Sequence, residues 1–449
     1  MSPHATVRRR VRRPVAAGVP LAVVVALVAA GTAVGAPARG GAAHVTRTAT
    51  LGDIPLGTFS NALLPGTVDN DRGVDLGGIG SDIYPAGRKG EYWTITDRGP
   101  NGQIKVSGTK RRTFPVPGFD PAIVKIRVSR DTVKVLDAIP ITTTSSGKAV
   151  TGLANQQGRD EAPYSYDAQT ALSYNPNGLD TEGIVRAGDG SFWLVDEYGP
   201  SLVHVSARGK VLTRYVPKGL HLTGADYLVV EALPAVLLHR KINRGFEGLA
   251  QLPGGDLVMA LQSPLSLPDG DAGNASLNTR LLRFSTKKKK VTAEYAYRFD
   301  PVNVVDPSED DTSELKISSV VAVGDDQLLV EERTDKAARL QLVELGRKSN
   351  ILGGRYDDDT TSPSLEQLDD PTAAGVPVLA KKLVVDLGTV SGVPQKIEGI
   401  ARVDHDTLAL INDNDFGMTD GAGAFDAQGR LVDSGIKTTV VYVQLPHGI

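Results

Sequence analysis

DTEGIVRAGDGSFWLVDEYGP, residues 180–200, decides the fold. Two β-like runs, 183–186 and 192–195, flank a Gly-Asp-Gly-Ser turn at 188–191. Turn residues between branched and aromatic runs signal a β-hairpin. The start of the first strand then lies beside the end of the second. Glu182 should therefore meet the pair Asp196-Glu197 at one edge, a place to hold a cation or poise acid–base chemistry.

The layout recurs four more times. The first copy runs from Asp75–Ile79, through a turn at 87–90, to Tyr92–Pro100. The third is Phe246-Glu247-Gly248 with Leu257–Pro264. The fourth is Ile317–Val323 with Gln327–Arg333, and the fifth is Ile397-Glu398-Gly399 with Thr407–Asp415. A second pair of β-like runs follows each of the first four: 123–128 with 133–139, 202–205 with 211–216, 281–284 with 291–299, and 340–345 with 383–387. The fifth has only 438–445, and the run at 45–51 can supply its fourth strand. Four-stranded units repeated around an axis predict an all-β protein, a β-propeller with five visible blades and room for a sixth, its ring closed by the chain's two end strands. A β-sandwich is the alternative, but it gives no reason for Glu-Gly at successive strand starts. Insertions at 142–178, 226–241 and 346–380 explain the irregular spacing. The second reads as a short helix interrupted by Pro234, and the third is acidic and expected to be mobile.

The composition agrees: 449 residues, 41% hydrophobic, with 49 glycines and 27 prolines, which favours many short strands and turns. Arg8, Arg9, Arg10, Arg12 and Arg13 precede an apolar stretch to about Ala30, and small residues end at Ala36. Residues 1–36 read as an export signal peptide, with twin arginines suggesting the folded-protein route. A retained membrane anchor is the alternative. Residues 37–44 are then a flexible linker and 45–449 the mature domain, secreted and expected to be monomeric. Cleavage removes five arginines and no acids, which takes the formal charge from −3 to −8. An acidic chain is a poor partner for nucleic acid or an anionic membrane. The absence of cysteine excludes thiol nucleophiles and thiolate zinc sites.

In a propeller, Glu182, Glu247 and Glu398 begin inner strands, and Asp97, Asp196, Glu331 and Asp413 end returning ones. All seven are expected on one face, around the central channel. Crowded carboxylates favour a hard cation such as Ca²⁺. Arg98, Arg244, Arg333 and Lys396 flank them and suit a small anionic ester substrate. Glu182, Asp196, Glu247 and Arg244 are the candidate catalytic residues. His204 and His239 read as structural. Asp69–Gly73 and Asp269-Gly-Asp271 are either surface Ca²⁺ loops or ordinary turns.

Several motifs in order are similar to those of one family: Asp97-Arg98-Gly99, Asp180-x-Glu182-Gly183, Trp193–Pro200, Asn243–Gly248, Gln262–Leu265, Glu332-Arg333 and Asn412–Phe416. Over roughly Leu76 to Gly417 the chain resembles the phytase-like proteins, labelled "esterase-like activity of phytase". The resemblance implies a secreted, propeller-like hydrolase of phosphate or other esters. The reading is a metal-dependent ester hydrolase, with phosphate esters first. A carboxyl-ester or lactone hydrolase and a non-catalytic ligand-binding propeller are the alternatives.

Overall fold

A computed structural model describes residues 41–143 and 147–449. The export segment lies outside them, as does the linker up to residue 40. Among the described residues the fold is a five-bladed β-propeller. Blade 1 is Asp82–Pro85, Glu91–Ile95, Ala122–Ser129 and Thr132–Pro140. Blade 2 is Thr181–Arg186, Phe192–Asp196, Ser201–Val205 and Val211–Pro217. Blade 3 is Phe246–Gln251, Leu257–Leu261, Asn278–Ser285 and Lys290–Arg298. Blade 4 is Val320–Ala322, Gln327–Arg333, Ala338–Glu344 and Lys381–Asp386. Blade 5 is Ile397–Arg402, Thr407–Asn412, Thr439–Gln444 and His44–Leu51. The first-named strand of each blade is innermost, and these five neighbour one another in a closed ring. Apolar clusters fill the spaces between blades, such as Val258, Leu281, Val320 and Val330 between blades 3 and 4.

The ring closes as expected. His44–Leu51 pairs antiparallel with Thr439–Gln444, and Thr50 and Leu51 also pair in parallel with Thr132 and Val133 of blade 1. Blades 5 and 1 thus merge at their outer edges into one eight-stranded sheet. No sixth blade occurs among the described residues.

Three expectations need correction. The inner strand of blade 1 is Asp82–Pro85, not 75–79. The glycines at 77, 78 and 80 instead let the chain press against Asn412–Phe416: a Cβ on Gly78 would stand 2.0 Å from the Phe416 ring. Residues 226–241 are not an interrupted helix. Val229–Leu233 is a fifth strand of blade 2, parallel to Val211–Pro217, and a single 3-10 turn, Ala235–His239, follows Pro234. The 346–380 insertion is tied down, because fully buried Arg280 of blade 3 bonds its Glu366 at 2.9 Å and its Tyr356 carbonyl at 2.7 Å.

The Glu-Gly repeat has a steric cause. A Cβ on Gly183 would lie 2.7 Å from the Glu247 carbonyl oxygen of blade 3. One on Gly399 would lie 2.8 Å from the Asp82–Ile83 backbone of blade 1. On Gly248 it would meet the Val320 side chain at 3.1 Å and the Val320 backbone nitrogen at 3.2 Å, both longer contacts. Glycine therefore stands where the next blade's inner strand presses closest. Gly183→Ala and Gly399→Ala are expected to lower stability by about 1–3 kcal/mol, and Gly248→Ala by less, because its contacts are a few tenths of an ångström longer. Urea unfolding of the three variants checks the order, and equal losses would refute this account.

Candidate functional site

The same strand starts aim the glutamates. In blade 2, Val195 pairs with Gly183 and Asp196 with Thr181, so Glu182 has no residue opposite. Glu247 and Glu398 are skipped in the same way in blades 3 and 5. Each glutamate is thus the extra residue of a β-bulge, a device that turns a side chain out of the pleat. Here all three turn into the channel mouth, where they line a depression of about 190 Å³.

A second ring faces them. The backbone N–H groups of Asp97, Glu197, Gln262, Arg333 and Asp413 donate to the carbonyls of Gly78, Asp180, Gly245, Lys316 and Lys396, at 2.9–3.3 Å. These five bonds mark equivalent positions in the five blades, and all five donor side chains line the mouth. Asp97, Glu182, Glu247, Glu398 and Asp413 therefore stand together there, with Arg98, Arg244, Arg333 and Lys396.

Asp196 and Glu331 do not. Strand side chains alternate faces, so Asp196 lies out of step with its blade's mouth position, which belongs to Glu197. Asp196 is fully buried inside blade 2. It accepts from Arg214 at 2.5 Å, from the Ser201 hydroxyl at 2.6 Å and from the Asp180 N–H at 2.7 Å. It fixes the fold and is removed from the candidate ligands and catalytic groups. Glu331 shares a strand face with Arg333 but is fully buried and lines no part of the mouth.

Asp180 and Glu197 enter the site in their place. Carboxylate oxygens of Asp180, Glu182 and Glu197 lie within 4.8 Å of one another. Arg98 bridges Asp180 and Glu197 and also bonds Asn243. Glu182 has no ion pair with any described residue. Three hard oxygen donors, one of them a carboxyl with no cation beside it among the described residues, fit a cation of the Ca²⁺ class.

The electrostatics follow from burial. Glu182 is pushed well above the usual carboxyl range by desolvation, then by the fields of Asp180, Glu197 and Glu247. Desolvation and Asp180 push Glu197 up to about 8, and desolvation raises Glu398 to about 7 despite Lys396 and Arg333. Asp97 is raised by desolvation and by Asp413. Metal-free, the folded protein is therefore expected to hold protons on these groups that the unfolded chain releases near the ordinary carboxyl range. Stability falls wherever the folded state binds more protons and pH rises. With a chelator present, the melting temperature is expected to drop as pH rises through 7 to 8, and Ca²⁺, replacing those protons, should abolish the drop. A metal-free melting temperature that climbs over that range would contradict the site's charge balance.

Most cations at the mouth are engaged. Arg333 pairs with Glu398, and its Nε donates to the Ser318 hydroxyl at 2.7 Å. That hydroxyl donates to Glu247 at 2.6 Å, and Gln262 holds the other Glu247 oxygen. Lys396 bonds Asp413 at 2.8 Å and also Asp415, Lys316 bonds Asp335 at 2.6 Å, and Arg112 bonds Glu161 at 2.8 Å. Arg244 makes no ion pair with a described residue and donates once, to the Ser263 hydroxyl at 3.0 Å. The 142–178 insertion reaches Arg98 through Glu161, at 3.6 Å, and its Asp160 pairs with Arg240. A second depression of about 690 Å³ adjoins the mouth and shares Asn101, Arg112, Lys316, Lys396, Asp413 and Asp415 with it.

The remaining candidates serve the fold. Asp71 accepts from the Gly57 and Gly73 N–H groups, and Asp269 caps the turn at Gly270–Ala275. His204 stacks on Trp193, 4.1 Å between ring centroids, and His239 pairs with Asp359. No helix among the described residues is long and apolar enough to cross a membrane.

Fold and mouth define a propeller with a buried acidic ring and one available guanidinium. The sequence profile of the phytase-like family, described as "Esterase-like activity of phytase", matches residues 74–416, so the chain belongs to that family. An uncharacterized secreted protein of Arthroderma benhamiae is 26% identical over 307 residues, which is 59% of each chain. The alignment therefore leaves about two fifths of that relative's length unmatched. Among solved structures, a PQQ-bound aldose sugar dehydrogenase from Streptomyces coelicolor aligns over 91% of this chain and 100% of its own, at 11% identity and TM-score 0.34. A calcium-binding regucalcin from Agrobacterium tumefaciens aligns over 85% and 95%, at 12% identity and TM-score 0.33. At such TM-scores these likenesses bear on neither substrate nor cofactor.

Proposed function

We propose that the mouth hydrolyses small anionic esters outside the cell, phosphate esters first among them. The observation that carries the reading is Arg244, a guanidinium with no ion pair to any described residue, on the same depression as Glu182, a carboxyl with no countercharge among those residues. Most of its N–H donors are free to fork onto phosphate oxygens. Family membership supports ester hydrolysis, and the secreted label on the fungal relative supports an extracellular setting.

Asp180, Glu182 and Glu197 would hold a divalent cation, which when bound polarises a phosphoryl oxygen and acidifies water. Glu247, fixed by Ser318 and Gln262, accepts a proton from the attacking water; its carboxyl is raised by desolvation toward the range useful for a base. Arg98 keeps Asp180 and Glu197 oriented, and Arg333 and Lys396 keep Glu398 and Asp413 in place. The adjoining polar groove gives the alcohol portion of the ester room.

The decisive experiment strips the mature chain with a chelator, restores Ca²⁺, and screens phosphomonoesters, aryl carboxyl esters and lactones. Phosphomonoester turnover that depends on added cation is the expected result. Turnover confined to lactones or carboxyl esters would transfer the site to that chemistry, and none at all would leave a binding propeller. Arg244→Met should raise KM by roughly 10- to 100-fold with a smaller change in kcat, the loss of a charge-assisted contact of about 1.5–3 kcal/mol. An unchanged KM would remove Arg244 from the anion site.

A further inference from the structure

The mouth lies where first strands begin and second strands end, so the turn joining them stands at the other end of each blade. The turn between third and fourth strands sits beside it. In blade 1 the Val128 N–H, next to the outer turn, donates to the Gly90 carbonyl of the inner turn at 2.8 Å. In blade 3 the Thr286 hydroxyl donates to the Gly255 carbonyl at 2.9 Å. In blade 2 a Cβ on Gly190 would stand 3.8 Å from that of Ala207.

Charge is spread unevenly over these turns. In blades 1–3 they carry nine exposed cations: Arg88, Lys89 and Arg130 in blade 1, Arg208 and Lys210 in blade 2, and the run Lys287–Lys290 in blade 3. None of the nine forms an ion pair with a described residue. Three acids share the turns. Asp256 bonds Arg283 at 2.9 Å, Asp189 accepts from the Ser191 N–H and hydroxyl, and Asp131 accepts from the Thr132 hydroxyl. The inner turns of blades 4 and 5 are acidic instead, with Asp325-Asp326 and Asp404-His-Asp406. Neighbouring lysines without counterions repel one another, and an anionic partner relieves that repulsion. Cations spread over three blades suit an extended anionic surface, whereas a single small anion needs donors that converge on it.

The chain also enters the fold on this side. His44 pairs with Gln444, and Gln444 with Thr407, beside the 404–406 turn of blade 5. Residues 8–30, arginine-rich and then apolar in sequence, therefore join the domain on the side of the cations. A segment of that composition leads to a membrane, which favours a lipid surface over a soluble polyanion.

We infer that the side opposite the mouth docks on a lipid surface rich in anionic headgroups, through the turns of blades 1–3. Such clusters of lysine and arginine are drawn to anionic leaflets. The net acidity of the chain argues against this partner only as an average, because the acids stand elsewhere, at the mouth and in the turns of blades 4 and 5. Docked this way, the mouth faces away from the surface and stays open to solutes. The inference does not depend on the hydrolase reading.

The test sediments the mature chain with vesicles of phosphatidylcholine alone or mixed with phosphatidylglycerol. Chelator is present, so that no cation at the mouth bridges to headgroups. Wild type is expected to sediment only with the mixed vesicles and to be released in about 1 M salt, where the screening length falls to about 3 Å. Replacing Lys287, Lys288, Lys289 and Lys290 together by Gln should weaken binding by roughly 100-fold or more, and Arg208→Gln with Lys210→Gln by roughly 10-fold or more. Lys105→Gln with Lys110→Gln, two exposed lysines on the hairpin beside the mouth, should bind like wild type. A four-lysine variant that binds like wild type would overturn the inference, as would a Lys105 and Lys110 variant that loses as much. So would a wild type that ignores the mixed vesicles, even if it binds soluble dextran sulfate, a result that needs no variant to fold.

Discussion

Glu182→Gln is expected to abolish Ca²⁺-dependent turnover and to weaken Ca²⁺ binding at the mouth by at least about 100-fold, the upper range seen when even an outer partner of a metal site is lost. The reason is specific to this carboxyl. Glu197 and Asp180 already share Arg98, so each keeps a countercharge without a metal. Glu182 has none, and its bulge leaves it no strand partner that could hold it in another direction. A neutral amide in its place needs no proton to stay neutral when buried, so Glu182→Gln without metal should be at least as stable as the wild type at neutral pH. Calorimetric Ca²⁺ titration, aryl phosphate turnover and melting separate these effects. If the variant binds Ca²⁺ and turns over substrate like wild type, the cation is not held here.

The second large effect is on folding. Arg214→Met leaves Asp196 as a buried carboxylate without its cation, which should cost about 3–5 kcal/mol. Arg214 also donates to Asn155, to the Tyr198 carbonyl at 3.0 Å and to the Tyr227 hydroxyl. Its loss therefore loosens the 142–178 insertion and the Asp180 backbone, which Asp196 holds through one hydrogen bond. Activity should fall with the folded fraction, while any folded protein keeps its Ca²⁺ affinity. Asp196→Asn keeps one acceptor oxygen for two sites, the Asp180 N–H on one side and Ser201 with Arg214 on the other, and leaves Arg214 buried without its counter-charge, so it should also destabilise the fold. A stable Arg214→Met with impaired Ca²⁺ binding would return Asp196 to the site.

The repeat was legible because glycine and glutamate recur for separate physical reasons at the same strand start. Close blade contact needs the glycine, and the bulge carries the glutamate. The closing strand at 44–51 was legible because blade 5 lacked a partner. What could not be read was phase. In Asp196-Glu197 two acids stand side by side, and only the strand register says which faces the channel. In Glu331-Glu332-Arg333 the residue equivalent to Asp97 and Asp413 is a cation, so a search for acids passes over it. The inner strand of blade 1, Asp82–Pro85, escaped because it is four residues long and ends in proline. The five N–H to carbonyl bonds that set the phase leave no trace in residue type.

The shared edge of blades 5 and 1 has a kinetic consequence. Thr46 and the Tyr442 carbonyl, joined by a hydrogen bond at 3.3 Å, are 396 residues apart. Loop closure over such a span is slow relative to pairing within a blade. The ring must therefore wait for the last strand to be synthesised, while four finished blades stand with two open edges ready to pair with another chain. A nonsense mutation at codon 439, which removes residues 439–449, would leave the mouth residues in the polypeptide yet yield a product prone to aggregate, and chaperone demand should peak at the end of translation.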